Sequence, residues 1–510
     1  MKRTCLQETQ TPMKMSVCEF YPTKKTNYLR MKNSGFKNRR TQIPPLFVCA
    51  VAVLAFTLIS PQLHAKPEKK PNFIFIFADD LGWGDLACYG NANIKTPHLD
   101  AFAKEGTIFT KFYVNSPVCS PSRTATMTGQ YPARQRVHGH FATDEQNEKR
   151  SMPNWLDPNL PFFMTRLMKN AGYATGHFGK WHLSNGPDAP HLTAYDIDES
   201  ATTNSAENNL NCPVNKSSEK IVDLAINFIE KNRDKPFYLN VWSNVPHAVL
   251  DPTDEQMESY SRFGAVETAK ERGFSTPAQI YYSCVSDLDF HIGRLLKKLD
   301  ELGLAENTVI VFSSDNGPED IHVPNAAHSG IGSPGPLRGR KRSLYEGGVR
   351  VPFIVRWKGH TPAGKVDNES VLGGVDLLPA FCSLASIELP KNYIPDGEDI
   401  SPVFKGEVYL RQKPLLWEWR FSQAGYTINK SPQMALRIDN WKFLMNPDGS
   451  RAELYEISDK TQGLEVDNLA DQHPDLVEKF TKILLSFDQS LPKGFEMPSG
   501  GLNTYPVPGN

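Results

Sequence analysis

Asn72-Phe73-Ile74-Phe75-Ile76-Phe77-Ala78-Asp79-Asp80-Leu81-Gly82 decides the fold. An apolar run with no polar break reads as a strand buried on both faces, and such strands belong to parallel sheets covered by helices. Two adjacent carboxylates at the end of a buried strand are costly unless a cation or hydrogen bonds satisfy them. A second stretch repeats the arrangement: Thr308-Val309-Ile310-Val311-Phe312 runs into Ser313-Ser314-Asp315-Asn316-Gly317. Asp-Asn-Gly is also a common turn, and its position after a second buried strand is what makes it a ligand candidate.

Helix and strand signals alternate between these two stretches. Thr96-Pro97-His98-Leu99-Asp100 opens a helix that Gly106 closes, and residues 107–114 read as a strand. A helix over 162–170 stops at Gly172 before a strand over 173–178, an amphipathic helix over 220–232 precedes a strand over 237–243, and a helix over 280–302 leads to the second buried strand. The pattern is α/β, and open parallel sheets place ligands at the carboxyl ends of their strands. Residues 188–216 are polar, with weak periodicity, and read as an inserted loop that carries substrate specificity. Past a crossing segment at 390–406, strands over 414–419, 434–438, 441–445 and 453–456 and a helix over 474–486 form a smaller antiparallel sheet covered by one helix.

The chain has 510 residues, 39% of them hydrophobic and 22% charged, which excludes disordered and fibrous classes. An apolar run at 46–59, short for a bilayer span, follows Lys32, Lys37, Arg39 and Arg40 and precedes Leu63-His64-Ala65. It reads as a signal peptide within a leader over 1–65, and a start at Met31 gives that leader ordinary proportions. An uncleaved anchor is the other reading of the same run. Export to the periplasm or beyond is expected, without stable membrane insertion after cleavage. The leader holds ten basic and two acidic residues, so the remainder carries 46 and 55, a net charge of −9. That argues against nucleic-acid binding, and an anionic substrate must be met by local positive charge. With Cys119 set aside, Cys88, Cys212, Cys284 and Cys382 allow zero, one or two disulfides.

Ser116-Pro117-Val118-Cys119-Ser120-Pro121-Ser122-Arg123-Thr124-Ala125 puts a thiol just before a proline suited to the first position of a helix, with an arginine one turn on. Free amides at a helix start together with a guanidinium make an anion site. A lone cysteine of this kind also reads as a disulfide half or a small buried residue. Gly179-Lys180-Trp181-His182-Leu183 follows another strand, and Lys180 and His182, two apart, face the same way from an extended segment. Asn244-Val245-Pro246-His247 ends a third strand. Leu337-Arg338-Gly339-Arg340-Lys341-Arg342-Ser343-Leu344-Tyr345-Glu346-Gly347-Gly348-Val349-Arg350 is the densest basic run after the leader, a pattern whose ordinary reading is a solvated loop.

In this order, with Thr128-Gly129-Gln130-Tyr131-Pro132 following Cys-x-Pro-Ser-Arg, these motifs resemble the type I, formylglycine-dependent sulfatases over nearly the whole chain after the leader. The likeness is to bacterial carbohydrate sulfatases of the arylsulfatase A and N-acetylgalactosamine-6-sulfatase kind. It implies an alkaline-phosphatase-like α/β fold: a large mixed, mostly parallel sheet flanked by helices in a catalytic domain over 66–405, and a smaller α+β subdomain over 406–510. It implies that a formylglycine-generating maturase oxidises Cys119. It assigns Asp79, Asp80, Asp315, Asn316 and the side chain at Cys119 to a divalent cation, Ca²⁺ with Mg²⁺ as the alternative, which hard oxygen ligands favour over zinc. Arg123 and Lys180 would steady anionic groups, His182 would assist the aldehyde hydrate, and His247 with Lys341 would attend the leaving oxygen.

The substrate implied is a sulfated oligo- or polysaccharide, from marine algae or glycosaminoglycans. Arg340 and Arg342 stand where the family often has small residues and are expected to touch a polyanionic substrate. His138 and His140 are candidates for sugar contacts, and Trp417, Trp419 and Tyr426 for the border of the cleft, with loop histidines and core aromatics as the alternatives. Two other functions stay open: a phosphonate monoester or phosphodiester hydrolase of the same superfamily, and a non-catalytic secreted glycan-binding protein.

Overall fold

The computed structural model describes residues 69–492 apart from 266–275, 324–325, 422–424, 459–460 and 462. The chain divides into two units, Met1–Ala65 and Lys66–Asn510. The first, with the leader and start-site readings, lies outside the described residues; the sheets and helices belong to the second.

β1 (Asn72–Ala78) is buried along its whole length at the centre of a nine-stranded sheet. Its side chains alternate between two cores: Phe73, Phe75 and Phe77 enter one, and Ile74, Ile76 and Ala78 the other. Each fully buried Phe or Ile contributes about 2 kcal/mol. The other strands are β2 (Thr107–Tyr113), β3 (Ala174–Lys180), β4 (Glu199–Thr203), β5 (Phe237–Trp242), β6 (Thr308–Ser314), β7 (Arg350–Arg356), β8 (Lys365–Asp367) and β9 (Leu372–Gly373). They lie in the order β4-β3-β5-β1-β6-β7-β2-β8, with β9 also beside β2. β7 alone runs against its neighbours; every other pairing is parallel. The expected mostly parallel mixed sheet is therefore present.

The polar segment 188–216 is more than a loop, because Glu199–Thr203 pairs in parallel with β3 from Gly176 to Lys180. Its polar sequence suits an edge, where only one side of the strand is covered. Helices Pro97–Lys104, Ser217–Asn232 and Pro277–Glu301 cover one face of the sheet. The other face packs against helices Cys119–Thr128 and Leu377–Leu384 and against a second sheet.

That second sheet is an antiparallel meander, β10 (Leu415–Glu418), β11 (Met434–Ile438), β12 (Trp441–Met445) and β13 (Glu453–Glu456). Helix Pro474–Ser490 lays Phe480, Leu484 and Phe487 on it. One hydrophobic core runs from Phe73 of the large sheet to Leu491 beyond this helix, so the two sheets share their interior. Trp417 and Trp419 belong to that core, 1% and 4% exposed, and do not border a cleft. Trp417 Nε1 donates to the Val114 carbonyl at 2.7 Å, fastening the second sheet to the chain just ahead of Cys119. Cys88, Cys119, Cys212, Cys284 and Cys382 are all free thiols. Among the described residues no helix is long and apolar enough to cross a membrane.

Candidate active site

β1 and β6 are adjacent and in register, Ala78 opposite Ser314, so the carboxylates that follow them emerge side by side. Consecutive residues of an extended chain point to opposite sides. Asp80 breaks that alternation with φ +66°, and its amide donates to Asp315 Oδ1 at 3.1 Å. Asp79, Asp80, Asp315 and Asn316 thus converge, each no more than 1% exposed.

Helix Cys119–Thr128 begins at the cysteine itself, ahead of the Pro121 start expected from sequence. Cys119 is therefore the first helical residue, and its Sγ lies 3.2 Å from His182 Nδ1. Arg123, fully buried, donates through Nε and Nη2 to Asp315 Oδ2 at 3.0 and 2.7 Å and through Nη1 to the Lys180 carbonyl at 2.9 Å. Its guanidinium lies over the rings of Trp242 and Phe77, 4.9 and 5.4 Å from their centroids, which fixes its plane.

β3 supplies Lys180, whose Nζ donates to Asp79 Oδ2 at 2.6 Å. Gly179 before it has φ +109°, and a Cβ there would lie 1.8 Å from the Trp242 carbonyl oxygen, so only glycine fits. His182 has φ +54°, which means that Lys180 and His182 reach the same centre through a left-handed turn and not by extended alternation. His182 Nε2 faces the Phe141 carbonyl at 3.2 Å. Lys341 donates to both oxygens of Asp80, at 2.7 and 2.6 Å, and Asn316 Nδ2 donates to Asp80 Oδ1 at 2.7 Å. His247 Nε2 stands 3.9 Å from Asp80 Oδ2, with its side chain 37% exposed.

Three buried carboxylates thus face three fixed cations, Arg123, Lys180 and Lys341. Burial pushes Asp79 up despite Lys180, and burial with the Asp79 charge pushes Asp315 up to about 6. For Asp80 burial is outweighed by Lys341, which holds the carboxyl well below its usual range. Burial, with Lys180 beside His182 and Lys341 beside His247, holds both imidazoles low and therefore neutral.

A cation fits this centre. Ligand atoms of Asp79, Cys119 and Asp315 lie within 4.8 Å of one another. Asp79 Oδ1 and Asn316 Oδ1 are buried with no hydrogen-bond partner, a costly state that coordination relieves.

Other expected contacts fall elsewhere. Arg340 donates to the carbonyls of Glu319, Gly330 and Gly332, and Arg342 grips Glu319 at 2.5 and 3.0 Å, so both brace the loop that carries Lys341. Arg342 thus spends both terminal nitrogens on Glu319, and Arg340 spends Nη1 on the three carbonyls. His138 is buried against Glu418 and is not a surface sugar contact. His140 is exposed, its ring 6.3 Å from that of His182, and Tyr426 is 54% exposed and stacked on His322. Sequence reasoning missed Glu319, whose signal is faint: a carboxylate two residues past Gly317 and distant in sequence from the arginine it holds. The segment 188–216, expected to carry specificity, supplies Asn204, Asn208 and Asn211, which sequence reasoning did not single out; with Asn244 they line a cavity of about 490 Å³ that also includes Asp79, Lys180, His182 and His247.

Candidate oxygen ligands at the strand ends, a thiol at a helix start and a ring of cations fit a hydrolase of anionic esters on an alkaline-phosphatase-like sheet. Residues 71–387 match the Sulfatase family, and residues 340–489 match the family described as N-sulphoglucosamine sulphohydrolase, C-terminal. The chain belongs to the sulfatase family and is a sulfuric ester hydrolase. It is 30% identical over 400 residues to N-acetylgalactosamine-6-sulfatase of Rattus norvegicus, covering 72% of this chain and 73% of that one. It is 26% identical over 516 residues to N-acetylgalactosamine-6-O-sulfatase of Bacteroides thetaiotaomicron, covering 83% and 94%. The crystal structure of Ps i-CgsB in complex with k-i-k-neocarrahexaose superposes with a TM-score of 0.67 at 26% identity, covering 85% of this chain and 95% of that one.

Proposed function

We propose that this sulfatase removes sulfate from a sulfated oligo- or polysaccharide, with Cys119 converted to formylglycine by a maturase and Ca²⁺, or Mg²⁺, held by Asp79, Asp80, Asp315, Asn316 and the side chain at 119. The observation that carries the reading is the placement of Cys119 Sγ 3.2 Å from a neutral His182 and within ligand range of Asp79 and Asp315. When present, formylglycine supplies, as its hydrate, one hydroxyl to attack sulfur and a second through which sulfate is expelled, and the cation supplies Lewis acidity.

The chain's own residues do the rest. Arg123 orients Asp315 and, through the Lys180 carbonyl, the strand end that carries Lys180. Lys180 sits on Asp79 and Lys341 on Asp80, so each brings a positive charge to the place where sulfate oxygens arrive. His182 Nδ1 takes and returns a proton at the side chain of residue 119, and its Nε2 is oriented by the Phe141 carbonyl. His247, the one partly exposed member of the group, serves the leaving oxygen together with Lys341. Domain limits at 66–405 and 406–510 and export through the leader belong to the same reading.

The test is peptide mass spectrometry across Cys119 on protein coexpressed with a maturase, followed by rates on 4-nitrophenyl sulfate and on an aryl phosphodiester. We expect a loss of about 18 Da, sulfate turnover that Cys119→Ala abolishes, and weak phosphodiester turnover. Unmodified cysteine in a fully active protein, or preference for the phosphodiester, overturns the proposal.

A further inference from the structure

The cavity beside the sulfate end has a wall of one chemical kind. Asp79, Lys180, His182 and His247 lie at one end, and every other residue lining it is uncharged. Four are asparagines, Asn204, Asn208, Asn211 and Asn244, and the first three are exposed. The same lining includes apolar side chains, among them Val214, 45% exposed, and Val249, 68% exposed.

This wall is held in place. Asn204, Asn208 and Asn211 have φ +52°, +40° and +42°, so the chain makes repeated left-handed turns beyond β4. Ser205 Oγ accepts from the Asn208 amide at 3.0 Å, the Asn209 side chain accepts from the Thr202 amide at 2.8 Å, and Leu210 N donates to the Thr202 carbonyl at 3.1 Å. The loop is also tied to the site: His182 N donates to the Asn204 carbonyl at 3.0 Å, and Thr203 Oγ1 donates to Asn244 Oδ1 at 2.8 Å. Paired amides suit the hydroxyls and acetamido group of a sugar, and apolar side chains suit its C–H face. A second sulfate or a carboxylate on the same ring would meet amides and apolar groups there, with Lys180 at the sulfate position the one lysine or arginine in the lining.

We propose that the asparagine wall selects an uncharged sugar ring, one that carries the scissile sulfate and no second anionic substituent. The proposal rests on the reading of the chain as a carbohydrate sulfatase. It differs from the polyanion contact expected of Arg340 and Arg342, neither of which lines this cavity.

The experiment is calorimetric titration of Ca²⁺-loaded Cys119→Ala protein, which does not turn over, with the 6-sulfates of N-acetylgalactosamine and galactose and with the corresponding 4,6-disulfates. We expect a monosulfated sugar to bind at least about tenfold more tightly than its disulfated partner. Asn211→Lys should narrow or invert that ratio, because it places a cation on the wall. Asn208→Gly and Asn211→Gly, which keep the left-handed backbone but remove the amide, should each weaken monosulfated binding about fivefold. Equal or tighter binding of the disulfates, an unchanged ratio in Asn211→Lys, unchanged affinity in the glycine variants, or no binding of either monosulfate overturns the proposal. Failure of matured unsubstituted enzyme on 4-nitrophenyl sulfate would instead overturn the proposed reaction.

Discussion

Removing both charges of a fully buried pair should cost less than the two single removals added together, and Glu346 with Lys442 allows that to be measured. Glu346 lies just beyond the segment that carries Lys341, Lys442 lies on β12, and both side chains have no solvent exposure. Lys442 Nζ is 3.0 Å from Glu346 Oε1, while Oε2 accepts from Tyr113 OH at 2.7 Å and faces Arg350 Nη1 at 3.5 Å. Burial raises the Glu346 carboxyl, but Lys442, with Arg437 and Arg350, takes it from 4.5 to about 2. That shift is worth about 3 kcal/mol. Truncating one partner of a buried pair costs about 3–5 kcal/mol. Because Tyr113 and Arg350 remain in Lys442→Met, the lower end, about 3 kcal/mol, is expected. Glu346→Gln should cost about 2 kcal/mol, and the double variant should be more stable than the sum of the two losses by about 2–3 kcal/mol. Urea unfolding of the four proteins at pH 7.5, followed by tryptophan fluorescence, gives the cycle. The folded pKa lies below the unfolded one, so this stabilisation is complete above pH about 4.5 and is lost as pH falls toward 2; Lys442→Met should flatten that acid limb. A coupling below about 0.5 kcal/mol, or an unchanged acid limb, refutes the account.

Three further outcomes rest on the same geometry. Burial and the Arg123 charge lower His177 from 6.5 to about 3, so the unfolded chain takes up a proton there before the folded one does. His177 should contribute full stability above pH about 6.5 and a fall of about 1.4 kcal/mol per unit below it, and His177→Phe, which keeps a ring between Trp181 and Trp242, should change the slope by that amount in unfolding measurements taken from pH 7 to 5. Gly179→Ala should lose about 3 kcal/mol or more and sulfate turnover together, because its Cβ meets the Trp242 carbonyl beside Lys180; retention of both in unfolding and rate measurements would contradict the contact. Ca²⁺ at 100 times its dissociation constant should stabilise the protein by about 2.7 kcal/mol, EGTA should reverse this, and Asp315→Asn should abolish it; a melting temperature indifferent to Ca²⁺ would argue against the carboxylate site.

The parts of this fold that are legible in the chain are those where burial leaves no choice of residue. A strand covered on both faces must be apolar throughout, so Phe73 to Ala78 and Val309 to Phe312 announce themselves, and the carboxylates after them mark the edge where the site lies. Strand direction leaves no such mark: Arg350–Arg356 has the same composition whichever way it runs. β4 was hidden because an edge strand tolerates Glu199, Ser200 and two threonines. The destination of long side chains was hidden too. Arg340 and Arg342 carry the charge of a substrate clamp, but the Glu319 carboxylate, 23 residues away in sequence, holds Arg342, and carbonyls of Glu319, Gly330 and Gly332 hold one nitrogen of Arg340. Trp417 and Trp419 read equally well as cleft or core until the second sheet is laid over Val114.

The reversal of β7 changes which parts of the chain can supply the rim. Strands that run together present only their downstream residues at that edge, as Asp79, Lys180, His247 and Asp315 illustrate. A strand that runs the other way begins there, so it presents the residues that precede it, and Lys341 comes to Asp80 from ahead of Arg350–Arg356. The lysine is thereby uncoupled from the ladder. Residues 342–349 set its reach, while β7 pairs with β2 from Arg350 and with β6 only from Phe353, so what fixes the lysine is the packing of that segment, buried from Ser343 onward and anchored at Glu346, and not the register of the sheet.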